Sequence, residues 1–314
     1  MIRTKYSLFN YLTVSDKDKL WGLYVTGSGY ADLPPHTAYP PTQHPNGYMF
    51  DWKQGRTLSE FQLVYITRGQ GTFESAATGK KKISEGAVFF LFPGVWHRYK
   101  PLYQTGWKEH WISFNGVQPK LFKKYDILPA GSDILHIGLD EKIIEIYNMI
   151  LELIESEKIG FKETLSALTY QLIARIISIE KSKKFGNKEI EASIQKAKAL
   201  MMDSMDKRID FEELANEIGV GYSWFRRMFK HYTGLAPAQY FLQLKLNKAK
   251  DLLLNSSLSI KEISVITGFE SQYYFQSSLK NVSVCHPSSK ESIPGRRIIS
   301  TILVLLPECK GFHT

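Results

Sequence analysis

The apolar residues of this chain change their spacing once, near residue 141, and that change limits the folds it can adopt. Between about Leu20 and Ile137 they come in short runs rich in aromatic and β-branched side chains, such as FQLVYI, AVFFLFPG and HWISF. Runs of this kind, separated by Gly, Pro and Asn, are typical of β-strands. The regular turns predicted at GQG, SEG and PGVW favour an antiparallel barrel or jelly roll over a parallel α/β sheet.

A helical spacing follows from Glu141. One stripe runs from Ile143 to Ile154, and a second, after Gly160, runs from Leu165 to Ile176. Two interpretations are open: both helices pack against the barrel, or the second, apolar around much of its circumference, forms a dimer interface. The polar, basic segment KSKKFGNKE that follows is typical of a linker. A chain of 314 residues is long enough for two domains of ordinary size.

Charge and cysteine content exclude several classes of protein. The formal charge of +9 is spread evenly, with 17 Lys and Arg against 13 Asp and Glu after residue 187 and 23 against 18 before it. Charge therefore permits nucleic-acid binding without indicating it. Two cysteines, Cys285 and Cys309, make neither a disulfide framework nor a paired-cysteine zinc site. With no apolar run long enough to span a bilayer and no secretory signal, we expect a cytoplasmic protein that does not enter the membrane.

The segment FEELANEIGVGYSWFRRMFKHYTG, residues 211 to 234, predicts two short helices joined by a tight turn, with Asp210 as the first cap. The second helix directs Trp224, Phe225, Met228 and Phe229 toward a core. The residues left on its outer side are Ser223, Arg226, Arg227 and Lys230. Arginine can donate to two acceptors on a guanine edge, and Lys and Ser suit phosphate and base contacts. For a single unit, a solvated surface helix remains the ordinary alternative.

A second unit of the same plan follows the long segment PAQYFLQLKLNKAKDLLLNSS. In SIKEISVITGFESQYYF, Ser259 and Glu262 form a capping box, and Ile260, Ile263 and Ile266 are predicted to form the buried stripe. Two such units held by one helix can enter successive major grooves of one duplex, ~34 Å apart. The sequence therefore predicts binding to double-stranded DNA.

These residues resemble the AraC/XylS family of bacterial transcription regulators over nearly the whole chain. The more specific match is FRRMFKHYTGLAPAQY with LKLNKAKDLLLNSSLSIKEISVITGF, and RGQG and PGVWHRY resemble the cupin-type sensing domain of the family. The resemblance implies an α+β multidomain chain: a cupin-like barrel, a helical dimerisation segment and an all-α domain with two helix-turn-helix units. The positions implied to contact DNA are Ser223, Arg226, Arg227, Gln272 and Tyr273 for bases and Lys230 for phosphate.

Similarity to the arabinose regulator implies a ligand pocket at Arg56, Tyr99, Glu109 and Trp111. An aromatic plate with a few polar side chains suits a sugar, whose faces are apolar and whose rim is hydroxylated. The alternative is that Tyr99 and Trp111 are core aromatics. No cofactor is implied.

We therefore expect a homodimeric, ligand-responsive transcription regulator of carbohydrate-utilisation genes. The expected parts are a sensing domain (1–137), a dimerisation segment (138–181), a linker (182–189), a DNA-binding domain (190–290) and an atypical hydrophobic tail (291–314).

The match to the family weakens after Phe275. Ser277 stands where the pattern has arginine, and Val284 where it has the glycine that ends the helix. One explanation is a shifted reading frame, because allowed codons for KNVSVCHP, residues 280 to 287, regroup one base earlier to KKCIGLSP. The apolar run from Ile298 to Leu306 is also unusual after such a domain. The alternative function is a sugar-binding or interaction module whose DNA binding is impaired by this altered end.

A metal-dependent cupin enzyme is a third class to consider. Such enzymes cluster histidine and carboxylate ligands, usually with two histidines one residue apart on a strand. Here His36, His44, His97 and His110 are scattered. We therefore expect no metal site and no enzymatic activity.

Overall fold

The computed structural model describes residues 2–3, 7–39, 52–128 and 134–283. The chain divides into two units, Met1–Lys184 and Phe185–Thr314. The division falls within the stretch 182–189. In that stretch one helix runs to Phe185 and the next begins at Lys188, so only Gly186 and Asn187 lie outside a helix.

Short apolar runs form the strands of the first unit. Its described residues hold β1 (Ile2–Arg3), β2 (Ser7–Tyr11), β3 (Tyr24–Leu33), β4 (Arg56–Thr57), β5 (Phe61–Ser75), β6 (Gly79–Ser84), β7 (Ala87–Leu91), β8 (Trp96–Pro101), β9 (Trp107–Asn115) and β10 (Ile134–His136). The helices there are α1 (Asp16–Lys19), α2 (Val117–Lys124), α3 (Glu141–Ser156) and α4 (Phe161–Phe185).

The strands pair antiparallel, as the turn spacing predicts. The main sheet has the order β1-β2-β3-β9-β5-β7-β10, while β6 and β8 pair with the far half of β5, and β4 pairs with β8. The long strand β5 therefore belongs to both layers of the predicted barrel. The turns predicted at SEG and PGVW connect consecutive strands, but the prediction of a turn at GQG is wrong. That sequence lies inside β5, at the point where the strand passes from pairing with β9 to pairing with β6 and β8, and Gly69 there adopts φ +86°.

Both faces of the main sheet are buried, which explains the continuous apolar runs. On β5, Leu63 and Tyr65 point to one side and Val64 and Ile66 to the other, and all four are fully buried. The first pair packs in a core shared with α3 and α4, and the second pair packs in a core inside the barrel.

Helices α3 and α4 cover the outer face of the main sheet. Their residues in the shared core include Ile143, Tyr147, Ile150, Leu165, Leu172 and Ile176. For these side chains, packing against the barrel is the correct interpretation. Asp140 connects the two helices. Its carboxylate accepts the N–H of Ile143 at the start of α3 at 3.0 Å, and it accepts hydrogen bonds from Nε and Nη2 of Arg175 on α4 at 2.7 Å each.

The second unit is helical throughout its described residues. Its helices are α5 (Lys188–Asp203), α6 (Phe211–Glu217), α7 (Tyr222–Thr233), α8 (Pro237–Asn255), α9 (Ile260–Ile266) and α10 (Gln272–Ser283). Helices α6 and α7 form the first helix-turn-helix unit, and α9 and α10 form the second. Each unit has a core of its own, and α8 contributes Phe241 to the first and Ala249 to the second.

Local signals at the helix starts are confirmed. Asp210 accepts the N–H groups of Glu212 and Glu213, and Ser259 and Glu262 form the reciprocal capping box. The buried stripe of α9 was predicted incorrectly at Ile266, which is 37% exposed. Thr267 is buried in its place, and its hydroxyl donates to the carbonyl oxygen of Ile263 at 2.6 Å.

Several features of the sequence lie outside the described residues. These are His44, Val284, Cys285, the tail 291–314 and its Cys309. Among the helices in the ranges given above, none combines the length and the apolar character that crossing a membrane requires.

Candidate functional site

The barrel interior collects polar side chains at one place. Glu109 and Trp111 lie two residues apart on β9, and Tyr99 lies on β8, so the alternation of side chains directs each toward the interior. Arg56 on β4 lies opposite His97 in the register with β8. All four positions implied by the resemblance thus face the same interior space.

Arg56 and Tyr99 are joined directly. The Arg56 guanidinium donates to the Tyr99 hydroxyl at 3.1 Å and to the side-chain oxygen of Gln62 at 3.3 Å. Tyr99 is 6% exposed, and its ring packs against Phe89 and Trp107. Tyr99 is therefore both a core aromatic and a hydrogen-bonded member of the polar group. Burial raises its pKa, so the phenol keeps its proton.

Glu109 is a buried carboxyl whose Oε2 has no hydrogen-bond partner among the described residues. Burial raises its pKa to about 8, against the opposing effect of the positive charge of Arg56. At neutral pH the carboxyl is therefore largely protonated and can donate as well as accept a hydrogen bond. A buried polar atom without a partner is uncommon, and a bound molecule can satisfy it.

Trp111 provides the apolar surface of this site. Its indole is 4% exposed and lies near Phe9 and Tyr11, with ring centroids 6.3 and 6.0 Å away. A Cβ at Gly29 on β3 would come within 2.9 Å of the indole carbon Cζ2. The Trp111 indole can therefore pack directly against β3 only because residue 29 is a glycine.

Four further residues of this group were missed from sequence. Gln62 donates to the Ser113 hydroxyl at 3.1 Å, and His97 stacks on Tyr99. Tyr39 packs against the core that contains Tyr99, and burial raises its pKa, as do Tyr99 and Glu109. The available signal was the strand alternation, since Ser113 follows Trp111 and His97 precedes Tyr99 by two residues each.

The outer side of α7 matches its prediction by exposure. Ser223, Arg226, Arg227 and Lys230 are exposed, whereas Phe225 and Phe229 are fully buried. Trp224, expected in the core, is only partly buried. Two arginines and a lysine on one exposed face present charged donors suited to a phosphate backbone and to base edges.

The first turn of α10 is also exposed to solvent on one side and buried on the other. Gln272 is exposed and Tyr273 is 82% exposed, while Phe275 is fully buried. The helix continues through Ser277 to Ser283, although the sequence departs from the family pattern there.

Lys245 joins the two helix-turn-helix units and was also missed. Its side chain on α8 donates to the carbonyl oxygens of Lys207, before α6, and Gly268, before α10, at 2.8 Å each. Lys245 is 6% exposed, and its ammonium lies 4.7 Å from the Phe241 ring centroid. Burial lowers its pKa. The sequence signal is its position on the apolar stripe formed with Phe241 and Ala249, four residues to either side.

Within the described part of the chain, no group of three or more His, Cys, Asp or Glu side chains could hold a metal ion. The His97 ring is instead engaged by Arg56 and the carbonyl oxygen of Val95.

Comparison with known proteins agrees with this arrangement. Residues 38–173 match the family model of the AraC-like ligand binding domain, and residues 214–290 match that of a helix-turn-helix domain. The chain is 25% identical over 220 residues to the lactose operon transcription activator of Staphylococcus xylosus, covering 68% of this chain and 77% of that protein.

Two further relatives match over most of their length. The MmsAB operon regulatory protein of Pseudomonas aeruginosa is 23% identical over 73% of this chain and 74% of its own. The raffinose operon transcriptional regulatory protein RafR of Pediococcus pentosaceus is 20% identical over 76% of this chain and 87% of its own. With both family models in this order and together covering more than half of the chain, the protein belongs to the AraC family of DNA-binding transcription regulators.

Proposed function

We propose that this regulator controls carbohydrate-utilisation genes in response to a sugar bound inside its barrel. The observation that carries the proposal is the hydrogen-bonded pair Arg56 and Tyr99 beside the buried, unpartnered oxygen of Glu109. Together with the Trp111 indole, which belongs to the same core as Tyr99, these groups would offer a sugar both an apolar plate and hydrogen-bond donors and acceptors. The names of two relatives, which refer to the lactose and raffinose operons, support the same ligand class.

Each part of the chain would have its own role. Residues 1–137 would bind the ligand and residues 138–181 would form the dimer. Residues 182–189 would connect these parts to residues 190–290, which would bind DNA in the cytoplasm. Ser223, Arg226, Arg227, Gln272 and Tyr273 would contact bases, and Lys230 would contact phosphate. Ligand binding would favour one of two arrangements of the DNA-binding parts, which requires a different affinity for each.

A homodimer would form through the exposed face of α4. Between residues 164 and 178 of this helix, the exposed residues follow one another at spacings of three and four, the spacing of a coiled-coil seam. They are Thr164, Ala167, Gln171, Ala174 and Ser178. Mostly small side chains on this face would allow a second helix to approach closely.

A melting screen over neutral sugars tests the ligand class. A sugar at about 100 times its dissociation constant stabilises the folded state by about 2.7 kcal/mol, so the unfolding midpoint rises. We expect Arg56→Lys, which keeps the charge but loses the paired donors, to reduce this rise. The matched control is Arg98→Lys on β8, whose guanidinium pairs with Glu74 instead. A rise of equal size in wild type and Arg56→Lys, or no rise with any sugar, would contradict the proposal.

The second candidate, a sugar-binding module with impaired DNA binding, is favoured by Ser277, which replaces the arginine expected on α10. Gel shifts with upstream DNA separate the two candidates. Weak wild-type binding that Ser277→Arg strengthens would favour the impaired module. Tight wild-type binding that Ser277→Arg leaves unchanged would favour the regulator.

A further inference from the structure

A cleft of about 730 Å³ opens on the helix-covered side of the main sheet. Its floor is formed by side chains of β3, β5 and β9, and Leu151 on α3 contributes to a wall. Volumes of this size are typical of sites for small molecules.

The strand register places the floor residues in two rows. Asp32 on β3 lies opposite Lys108 on β9, which lies opposite Arg68 on β5. In the next row on the same face, Tyr30 lies opposite His110. Because side chains alternate along a strand, Glu109 between Lys108 and His110 points into the barrel. The cleft and the sugar site therefore lie on opposite faces of the sheet.

The charged row carries one positive charge in excess. Arg68 contacts one oxygen of Asp32 at 2.5 Å, and the Lys108 ammonium lies 3.9 Å from the other. One carboxylate thus serves two cations. Both cationic side chains are accessible, at 51% and 39% exposure. Arginine and lysine side by side bind carboxylates and phosphates through charge-assisted hydrogen bonds.

The second row supplies an unused polar atom. His110 is 5% exposed, and its Nδ1 has no hydrogen-bond partner among the described residues. Its ring is held near Tyr147 and Tyr30, with centroids 5.4 and 6.3 Å away. A buried ring nitrogen without a partner is costly unless another group bonds to it. Tyr30 and Leu151 border the same space and provide an apolar surface.

We propose that this cleft is a second ligand site, which binds a small organic anion. Its acidic group lies on Arg68 and Lys108, a polar atom meets His110, and its apolar part packs on Tyr30 and Leu151. The site is independent of the sugar proposed for the barrel. Its occupant contacts α3, which Asp140 and Arg175 tie to α4, and so acts on the helical layer.

Calorimetric titration with four probes tests the chemistry: phenyl phosphate, phenylacetate, phenol and inorganic phosphate. The first two combine an anion with an apolar ring, and comparing them distinguishes a phosphate ligand from a carboxylate. We expect either or both to bind more tightly than phenol and inorganic phosphate. We expect the double change Arg68→Gln with Lys108→Gln to weaken that binding by about tenfold or more, because the charge-assisted bonds are lost. The control, Lys80→Gln with Lys82→Gln, removes the same charge from exposed positions of β6 and should bind as wild type does.

Three results would overturn the proposal: no binding of either anion at ~10 mM, equal binding of phenol, or equal weakening in the control. A second measurement places the ligand. The imidazole nitrogen resonance of His110, identified by its loss in His110→Phe, should move when the bound probe is added. A resonance that stays in place would show that the ligand does not reach His110.

Discussion

The ammonium of Lys245 lies 2.8 Å from the carbonyl oxygen of Gly268, and it makes an equal bond to the carbonyl oxygen of Lys207. One buried cation thus connects the loops that precede α6 and α10. Arg208 and Glu270 form an ion pair across the same two loops, at 2.7 Å, but their side chains are 75% and 59% exposed. Exposed pairs contribute little, so the buried lysine is the stronger connection.

Lys245→Met keeps the apolar stem and removes the ammonium, which leaves two carbonyl groups without their partner. We expect the free energy of unfolding to fall by about 1–3 kcal/mol. We also expect binding to DNA with both half-sites to weaken more than binding to either half-site alone. Lys261→Met, at an exposed position of α9, serves as the control. Equal losses on single and paired half-sites would mean that Lys245 supports folding only.

Arg226→Ala and Arg227→Ala should each weaken operator binding by about 1–3 kcal/mol, roughly 5- to 150-fold, if each arginine contacts a base. Lys230→Ala should instead weaken binding to all DNA sequences by a similar factor. The slope of log affinity against log salt concentration should fall by about one, because one phosphate contact is lost. Gel shifts over a salt series measure both effects. Arg208→Ala is the matched control, since this arginine is also exposed but pairs with Glu270. Operator binding that survives the double change at 226 and 227 would remove these arginines from the interface.

The raised pKa of Glu109 predicts that stability falls with pH. Between the ordinary value of 4.5 and about 8, the folded carboxyl holds a proton that the unfolded one releases. Raising the pH through this window therefore destabilises the fold, by at most about 1.4 kcal/mol per pH unit.

Measurement between about pH 7.5 and 8.5 isolates this effect. Burial lowers the pKa of His97 and of His110 to about 4 from 6.5, so in this range both are neutral in the fold and nearly neutral in the unfolded chain. Unfolding midpoints should fall over this range in wild type and fall less in Glu109→Gln, whose amide does not titrate. Parallel curves for the two proteins would show that Glu109 is ionised in the fold.

The proposed dimer predicts that charge on the exposed face of α4 separates the subunits. Ala167→Glu combined with Ala174→Glu places like charges on both sides of the interface, and we expect a monomer in analytical ultracentrifugation. Ala76→Glu with Ala77→Glu, at exposed positions after β5, should leave the dimer intact. A double variant that sediments as wild type does would place the interface elsewhere.

Sequence-based prediction succeeds best where the periodic spacing of apolar residues alone determines which side chains are buried. The helical period separates Phe225 and Phe229 from Arg226 and Arg227, and the structure buries the first pair and exposes the second. Ile266 shows where this method fails. A prediction from apolar spacing assigns the buried position to isoleucine, whereas the structure buries Thr267, whose hydroxyl is satisfied by the carbonyl oxygen of Ile263.

Contacts distant in sequence were harder to foresee. Gln62 and Ser113 are 51 residues apart and meet only because β5 and β9 are neighbours in the sheet. The segment from Gly69 to Gly71 was predicted as a turn but lies within β5, because glycine-rich sequences occur both in turns and at irregular positions of strands. Lys245 was missed because a lysine on a helix is usually solvated, and its acceptors are main-chain atoms that leave no mark in the sequence.

The pairing of β3 with β9 has a consequence for synthesis of the protein. Residues 24–33 leave the ribosome well before their partners at 107–115. Until then the nascent chain carries an unpaired strand edge beside apolar side chains, which invites association with other chains. During this interval the exposed edge of β3 is protected only if the chain is bound by chaperones or meets few other chains. We therefore expect the yield of folded protein in the cell to depend on translation speed as well as on the stability of the finished fold.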